Sequence, residues 1–347
     1  MKLLVFKVAL PLFLITLVCS CASSPPLIKS AYDGDIEKVR TLLKEGIDVD
    51  MKGGSWDETA LNAAARQGHI GVVKTLLDAG ANVNIETKYG GSPLTGATWK
   101  CHGDIASLLI SHGANINVQS QSYGSTPLML AVECNDIQTV KLLVENGADV
   151  NIKNNAGMTA LIPAVWKNNA EIAKVLADAG AEVDAAWSKG EPALYEAAQN
   201  GFDSVAVVLI EKGANINYKS NHNGWTPLMI ATAENKPSTV ALLLKAGADP
   251  NIRNNLGRTA LMFSAKYGFA EIGGTLLSHG ADPNIVPTDD SGAAALIAAA
   301  AEGHQDVVKL LLKYGANSAI RDKNDMTALM WAEKKKYNEI ISLLKTY

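Results

Sequence analysis

The sequence predicts an all-α solenoid, built from short helix–turn–helix units that are joined by β-turn fingers. Two periodic features carry this prediction. A leucine near the start of each unit recurs every 33–35 residues, at Leu27, Leu61, Leu94, Leu128, Leu161, Leu194, Leu228, Leu261, Leu296 and Leu329. A glycine that closes each unit keeps the same interval, at Gly46, Gly80, Gly113, Gly147, Gly180, Gly213, Gly247, Gly280 and Gly315. Units of this length bury their apolar faces against one another, so we expect one stack about 80–100 Å long.

Helix boundaries within each unit are predicted from its polar and glycine positions. A threonine stands where a helix N-cap needs a hydroxyl, at Thr59, Thr126, Thr159, Thr226, Thr259 and Thr327. Proline follows directly in several units, at the first helical position where its missing N–H costs nothing. The closing glycine suits the left-handed conformation that ends the second helix. An asparagine then leads the chain into the finger, at Asn84, Asn117, Asn151, Asn217, Asn251 and Asn284.

These features resemble the ankyrin repeat, a unit of 33 residues with "TPLHxA" at the start of its first helix. The resemblance covers residues 27–347, as about ten repeats of which the first and last serve as caps. It implies an ankyrin-repeat solenoid of helix pairs with β-turn fingers. The histidine that usually follows "TPL" is absent from every repeat. We expect apolar packing to replace the hydrogen bonds of that histidine.

The first 20 residues are predicted to be a signal peptide. Two lysines precede an apolar run from Val8 to Val18, which is too short to span a bilayer but suits a secretory signal. Residues 18–21, "VCSC", resemble the lipobox of bacterial lipoproteins, which implies cleavage before Cys21 and lipidation of its thiol. Residues 21–26 would then be a lipidated cysteine and a short linker. The alternative is an ordinary cleaved signal peptide.

Composition and charge argue against a disordered chain and against a nucleic-acid-binding protein. With 48% apolar and 19% charged residues, the chain has the composition of an ordered protein. A net charge of −4 with scattered lysine and arginine argues against nucleic-acid binding. Each polar residue considered has a structural role within the repeat, so we expect no catalytic residues, no metal, no cofactor and no small-molecule substrate.

The resemblance also implies where a partner binds, because ankyrin repeats use the fingers and the C-terminal ends of the first helices. Candidate residues at helix ends are Arg66, Trp99, Glu133 and Trp166, and candidates in the fingers are Trp56, Tyr89, Tyr123, Trp187 and Trp225. Tryptophan and tyrosine are enriched among the residues that dominate binding energy at interfaces. The alternative is that each ring packs on the neighbouring finger.

Cys101 and Cys134 are predicted to be unpaired thiols. Cys101 stands where most units carry glycine or asparagine at the end of the first helix, so we expect its turn to deviate from the others. Stacked elements are often too far apart for a disulfide, whose Cα atoms must lie within about 7 Å. The alternative is a bridge formed in an oxidising compartment after export.

The favoured function is a non-catalytic protein–protein interaction scaffold, tethered through Cys21 to the bacterial cell envelope. We expect the outer membrane, on its periplasmic or surface face, because Ala22 rather than aspartate follows the lipidated cysteine. One alternative is a secreted or surface effector that binds host proteins. Another is a purely structural spacer of the envelope, which would need no exposed aromatic residues.

Overall fold

The computed structural model describes residues 24–187 and 190–347. They form two compact units, one ending at Asp149 and the other comprising Val150–Tyr347. Both are built from helices, and the described residues contain no β-strand, which confirms the all-α prediction. The expected signal peptide and Cys21 lie outside the described residues. Within the described ranges, every helix is too short or too polar to cross a membrane.

The helices occur in pairs, one pair to each predicted repeat. The first unit contains α1 (Pro26–Asp33), α2 (Ile36–Lys44), α3 (Ala60–Gln67), α4 (Ile70–Asp78), α5 (Pro93–Trp99), α6 (Gly103–Ser111), α7 (Pro127–Glu133) and α8 (Ile137–Glu145). The second unit begins with α9 (Leu161–Trp166), α10 (Ala170–Asp178), α11 (Ala193–Asn200), α12 (Asp203–Glu211), α13 (Pro227–Ala233) and α14 (Pro237–Lys245). It continues with α15 (Ala260–Tyr267), α16 (Ala270–Ser278), α17 (Ala295–Glu302), α18 (Gln305–Lys313), α19 (Ala328–Lys335) and α20 (Asn338–Thr346).

Four of the six threonines predicted as N-caps cap the first helix of their pair. The hydroxyl accepts the backbone N–H three residues further on at Thr59, Thr126, Thr226 and Thr327. The prediction is wrong at Thr159 and Thr259. There the backbone N–H of the third following residue donates to the threonine's own carbonyl oxygen, at 3.4 and 3.2 Å, so the hydroxyl does not cap the helix.

The position where the family has histidine is not apolar in every repeat, and Asn62 is one polar example. Asn62 accepts a hydrogen bond from the N–H of Thr59 at 3.0 Å through Oδ1, and its Nδ2 donates to the carbonyl oxygen of Ile85 at 3.1 Å. The expectation that apolar packing replaces this histidine in every repeat is therefore wrong here. Asn62 bonds the first helix to the next finger.

Histidine is used at a different contact between repeats. The first helix α1 ends at Gly34, which has φ of 79°, and the ring of His69 lies against it. A Cβ at Gly34 would lie 2.7 Å from that ring, so the close approach requires glycine. The Nε2–H of His69 also donates to the carbonyl oxygen of Tyr32 at 3.0 Å. The ring thus packs the second repeat on the first and satisfies a helix-end carbonyl.

The core of each unit lies between consecutive helix pairs. In the first unit α1 packs on α3, α3 on α5 and α5 on α7, and the second helices pack in the same order. The leucine of the repeat is buried in every repeat but the last, where Leu329 is half-buried; Leu61 and Leu94 have no exposed surface. Burying such a side chain contributes about 1.5–3 kcal/mol relative to leaving it in water. Small residues such as Ala64 and Ala97 let the short helices approach closely.

The asparagine that enters each finger joins its repeat to the next one. Asn151 is typical: Nδ2 donates to the carbonyl oxygen of Gly180 at 3.0 Å, and Oδ1 accepts the N–H of Glu182 at 2.8 Å. We call this pair of bonds the amide clamp. The same pair is made by Asn84, Asn117, Asn251 and Asn284. Asp184 and Asn217 accept only the N–H, from Asn215 and Asp249, each at 3.0 Å.

The fingers turn around a side-chain oxygen that accepts two backbone N–H groups. Asn254 accepts from Leu256 and Arg258 at 3.0 and 2.9 Å. In the next finger Asp289 takes this role, accepting the N–H groups of Ser291 and Gly292, and it is also ion-paired with Arg258. Burial alone would raise the pKa of Asp289. Hydrogen bonds from the Ser291 hydroxyl, Arg258 and the two backbone N–H groups outweigh burial and lower that pKa to about 2.

The amide clamp gives a first prediction. Asn151→Asp keeps the acceptor for Glu182 but removes the donor to Gly180, so the carbonyl loses its partner. We expect the free energy of unfolding to fall by about 1 kcal/mol, measured by urea unfolding followed by circular dichroism. The converse change, Asp184→Asn, restores a donor and should stabilise by about 0.5–1 kcal/mol. Equal stability of both variants and the wild type would show that the second bond contributes nothing.

The low pKa of Asp289 gives a second prediction. Because this pKa is about 2 when folded and 3.8 ordinarily, the carboxylate stabilises the fold above about pH 4. That contribution, roughly 2 kcal/mol, is lost as the pH falls towards 2. Asp289→Asn keeps the turn's acceptor, as Asn254 does in its own finger, but cannot titrate. Urea unfolding between pH 5 and pH 2 should therefore show a smaller loss of stability in the variant, and parallel curves would refute this assignment.

Candidate binding surface

Three candidate aromatic residues share one position at the tips of successive fingers in the first unit. Trp56, Tyr89 and Tyr123 each directly precede a residue in the left-handed region, with φ of 48° at Asp57, 72° at Gly90 and 67° at Gly124. We call these three residues the fingertip aromatic row. The sequence placed all of them in fingers, and the structure places them at equivalent points of the same turn.

Backbone hydrogen bonds align this row. The N–H of Lys88 donates to the carbonyl oxygen of Trp56 at 2.9 Å, and the N–H of Gln121 donates to that of Tyr89 at 3.0 Å. The rings of Trp56 and Tyr89 meet edge to face, with centroids 5.8 Å apart. Tyr89 is 45% exposed and Tyr123 is 52% exposed. The fingers therefore hold three large aromatic side chains in line, with Tyr89 and Tyr123 about half exposed and Trp56 half-buried.

The side chain of Arg66 packs against Trp56, the first residue of this row. Its guanidinium donates to both carboxylate oxygens of Glu58 at 3.0 Å, and the two side chains are 12% and 10% exposed. The guanidinium also lies 4.9 Å from the ring of Trp56 and 5.6 Å from that of Tyr32. Predicted as a partner contact, Arg66 is mostly buried in the structure. It holds Trp56 in place from within the protein.

The end of α5 presents a further exposed aromatic residue, Trp99. Its side chain is 41% exposed, and the ammonium of Lys100 lies 4.1 Å from its ring centroid. Glu133, at the end of α7, is also exposed. Both occupy the helix ends that the sequence predicts as partner contacts, so this part of the first unit joins an apolar ring with charges of both signs.

Cys101 and Cys134 form a disulfide, so the prediction of two unpaired thiols is wrong. Their sulfurs are 2.01 Å apart and their Cα atoms 5.6 Å apart, within the range that a disulfide requires. The turn at Cys101 does not deviate either, since φ is 63°, in the same left-handed region as φ of 86° at Gly68 one repeat earlier. The prediction failed because the ends of consecutive first helices approach closely here. The separation of 33 residues, one repeat length, was the available signal.

The candidate tryptophans of the second unit are mainly packed. Trp166 and Trp187 meet edge to face at 5.6 Å, and Nε1 of Trp166 lies 3.4 Å from Oε2 of Glu196, to which it donates. Trp225 packs on Phe263 with ring centroids 4.5 Å apart. All three tryptophans are half-buried. They fit the alternative expectation, that the ring packs on neighbouring elements, better than a role as free contacts.

The second unit also contains a groove of about 210 Å3 that was not predicted from the sequence. The groove lies between α15, α17 and α19 and the fingers that precede them. It is lined by Arg258, Met262, Phe263, Lys266, Ser291, Ala293, Ile297, Ala298, Ala301, Glu302, Asp322, Asn324 and Trp331. Trp331 forms one wall, donating through Nε1 to Asp322 at 2.7 Å, while Lys334 lies 4.7 Å from its ring. Burial would raise the pKa of Asp322, but hydrogen bonds from the Met326 N–H and from Trp331 lower it. Trp331 was overlooked because the last repeat was interpreted as a cap.

The two units present surfaces of different character. The first unit presents exposed rings beside lysines, and the second presents an apolar groove with polar ends. Among residues 24–187 and 190–347, no group of three or more histidine, cysteine, aspartate or glutamate side chains is arranged to hold a metal ion.

Comparison with known proteins identifies the repeat. The family described as "Ankyrin repeats (3 copies)" matches residues 27–120, 115–187, 194–287 and 286–347. The crystal structure of the ankyrin repeat domain of Bcl-3 is similar, with a TM-score of 0.59 and 28% identity. That similarity covers 64% of this chain and 99% of the Bcl-3 chain.

Similar proteins come from distant organisms. An ankyrin repeat protein of Acanthamoeba polyphaga mimivirus is 45% identical over 137 residues, which are 38% of this chain and 62% of that protein. The human ankyrin repeat and KH domain-containing protein 1 is 34% identical over 109 residues, 31% of this chain. This chain spans only 4% of the human protein's length. Ankyrin-repeat proteins are generally non-catalytic interaction modules, and these comparisons indicate no enzyme family. Because the family match covers most of its length, the chain belongs to the ankyrin-repeat family.

Proposed function

We propose that the protein is a non-catalytic scaffold that binds a protein partner through the exposed aromatic residues of its first unit. The observation that carries this proposal is the exposure of Tyr89, Trp99 and Tyr123, each 41–52% in solvent. Large apolar side chains at helix ends and turn tips stabilise the repeat little when they remain exposed. Rings of this kind supply much of the binding energy at protein interfaces.

A comparison with the packed tryptophans of the second unit supports assigning the partner contact to the first unit. Trp166 ends a first helix, as Trp99 does, and Trp187 and Trp225 lie in fingers, yet each has a ring partner within the second unit. Their contribution to stability explains their presence without a partner. In the first unit Tyr89 also meets a ring, that of Trp56, but it stays 45% exposed, and Trp99 and Tyr123 are 41% and 52% exposed. The partner contact is therefore assigned chiefly to that unit.

The proposal includes export and a lipid anchor at Cys21. The lipobox at residues 18–21 supports it, since a cysteine carrying several acyl chains meets the need for more than one chain in stable anchoring. The Cys101–Cys134 disulfide supports export independently, because disulfides persist mainly in oxidising compartments. We place the protein at the bacterial outer membrane, on the periplasmic or surface face.

A third prediction tests the partner surface. In cells expressing the full chain, Trp99→Ala should abolish one specific crosslinked product, identified by mass spectrometry, because the substitution removes a large exposed ring. Tyr314→Ala is the matched control: Tyr314 is also 41% exposed, but it lies at the end of a second helix, α18. An unchanged set of crosslinked products in the Trp99 variant would reject this surface, as would the same loss in both variants.

A fourth prediction tests the anchor and the compartment together. Metabolic labelling with an acyl-chain probe should mark the wild type and not a Cys21→Ser variant. In the same cells, Cys101 and Cys134 should resist alkylation until a reductant is added. Labelling that persists in the variant would disprove lipidation at Cys21. Free alkylation of both cysteines would disprove an oxidising compartment.

A further inference from the structure

We propose that the fingertip aromatic row binds a proline-rich polypeptide in the polyproline II conformation. This inference rests on the proposed function, in which the partner is a protein, and it adds the chemistry of the bound segment. It starts from three aromatic side chains, Trp56, Tyr89 and Tyr123, that lie at one turn position and are joined in register by backbone hydrogen bonds.

The row offers hydrogen-bond donors that the fold does not use. Nε1 of Trp56 and the hydroxyls of Tyr89 and Tyr123 donate to no other residue within the described part of the first unit. A polyproline II helix has no internal hydrogen bonds, so its carbonyl oxygens point outwards along its whole length. Donors at the tip of an apolar ring therefore complement a chain of proline rings and free carbonyls.

The spacing of the repeat fits the same ligand. Polyproline II has three residues per turn and a rise of about 3.1 Å per residue, which gives about 9 Å per turn. Packed helices lie about 8–10 Å apart, and each finger belongs to one helix pair. The Trp56–Tyr89 pair, with centroids 5.8 Å apart, forms one platform and Tyr123 the next. Every third residue of the ligand can thus meet the row.

The charges near the row favour an uncharged segment. The first finger neutralises its own charges, with Lys52 paired to Asp57 at 3.6 Å and Glu58 held by Arg66. The third finger has no charged residue between positions 114 and 126. The second finger carries one charge of each sign, Glu86 and Lys88, and the ammonium of Lys88 lies 5.7 Å from the ring centroid of Tyr89. Because opposite charges balance in the first two fingers and the third has none, a strongly acidic or basic peptide gains little net attraction. A preformed polyproline II segment also loses little conformational entropy on binding.

The second unit provides an internal comparison. At the same turn position, directly before a glycine with positive φ, its described residues are Ala156, Asn223, Leu256 and Ser291. None of these is aromatic, although Leu256 is 50% exposed. Exposure at a fingertip alone therefore does not distinguish the row. What distinguishes it is the combination of rings with unused donors.

The test is fluorescence polarisation of a fluorescein-labelled decaproline peptide with the full oxidised chain. Competitors are unlabelled decaproline, an acidic decapeptide and chitohexaose, because sugar rings also stack on aromatic side chains. We expect Tyr89→Ala/Tyr123→Ala to weaken decaproline binding at least about tenfold, the effect of losing 1.4 kcal/mol. Tyr89→Phe/Tyr123→Phe keeps the rings and removes the donors, so binding should weaken about two- to tenfold.

Leu256→Ala is the control and should bind decaproline as the wild type does. Circular dichroism checks that each variant is folded, which is expected because both tyrosines are exposed. Binding of chitohexaose or the acidic peptide in place of decaproline would overturn the inference, and so would no binding at all or equal binding by the alanine variant. Loss of the in-cell crosslink at Trp99 reports on the scaffold function separately, so failure here with that crosslink intact rejects only the proline-rich ligand.

Discussion

The amide clamp between consecutive repeats is the interaction on which the geometry of both units depends. One side-chain amide bonds a carbonyl and an N–H of the next repeat, as Asn84 does with Gly113 and Asn115. Because both partners are backbone groups, the clamp fixes the position of one repeat relative to the next whatever side chains surround it. The fingers then stack in register, which brings Tyr89 into edge-to-face contact with Trp56 and places Tyr123 at the equivalent point of the next finger.

Because the stacking depends on backbone groups and buried residues, the residues at fingertips and helix ends can vary from repeat to repeat. Leucines, alanines and clamp asparagines carry the stability of each unit, through burial and hydrogen bonds that recur in repeat after repeat. Trp99 and Trp166 show the result: both end a first helix, yet one is 41% exposed beside a lysine and the other packs on Trp187. The same position is exposed in one repeat and packed in another, so the role of each residue there must be judged from its own contacts.

Periodic features of the sequence were enough to predict the helix pairs, because buried leucines and closing glycines recur wherever the repeat does. The prediction of caps failed at Thr159 and Thr259, where a backbone carbonyl takes the N–H that the hydroxyl would have taken. From the sequence, Asn84 and its equivalents were predicted only to turn the chain into the finger. Their bonds to the following repeat could not be predicted, because the bonded groups lie about 30 residues further along the chain. The groove at Trp331 was missed for a related reason: it depends on three repeats at once.

The disulfide shows how a single departure from the repeat can act on the surface it adjoins. Cys101 has φ of 63°, at a position where the two preceding repeats have glycine. This left-handed conformation costs an L-residue about 1–2 kcal/mol. The cross-link to Cys134 offsets this cost by restricting the unfolded chain. It also ties the end of α5 to the end of α7, two residues from Trp99. Because the cross-link restricts this helix end, the ring of Trp99 has less conformational freedom to lose if a partner covers it. Part of the entropy that binding would otherwise remove is thus already lost on folding.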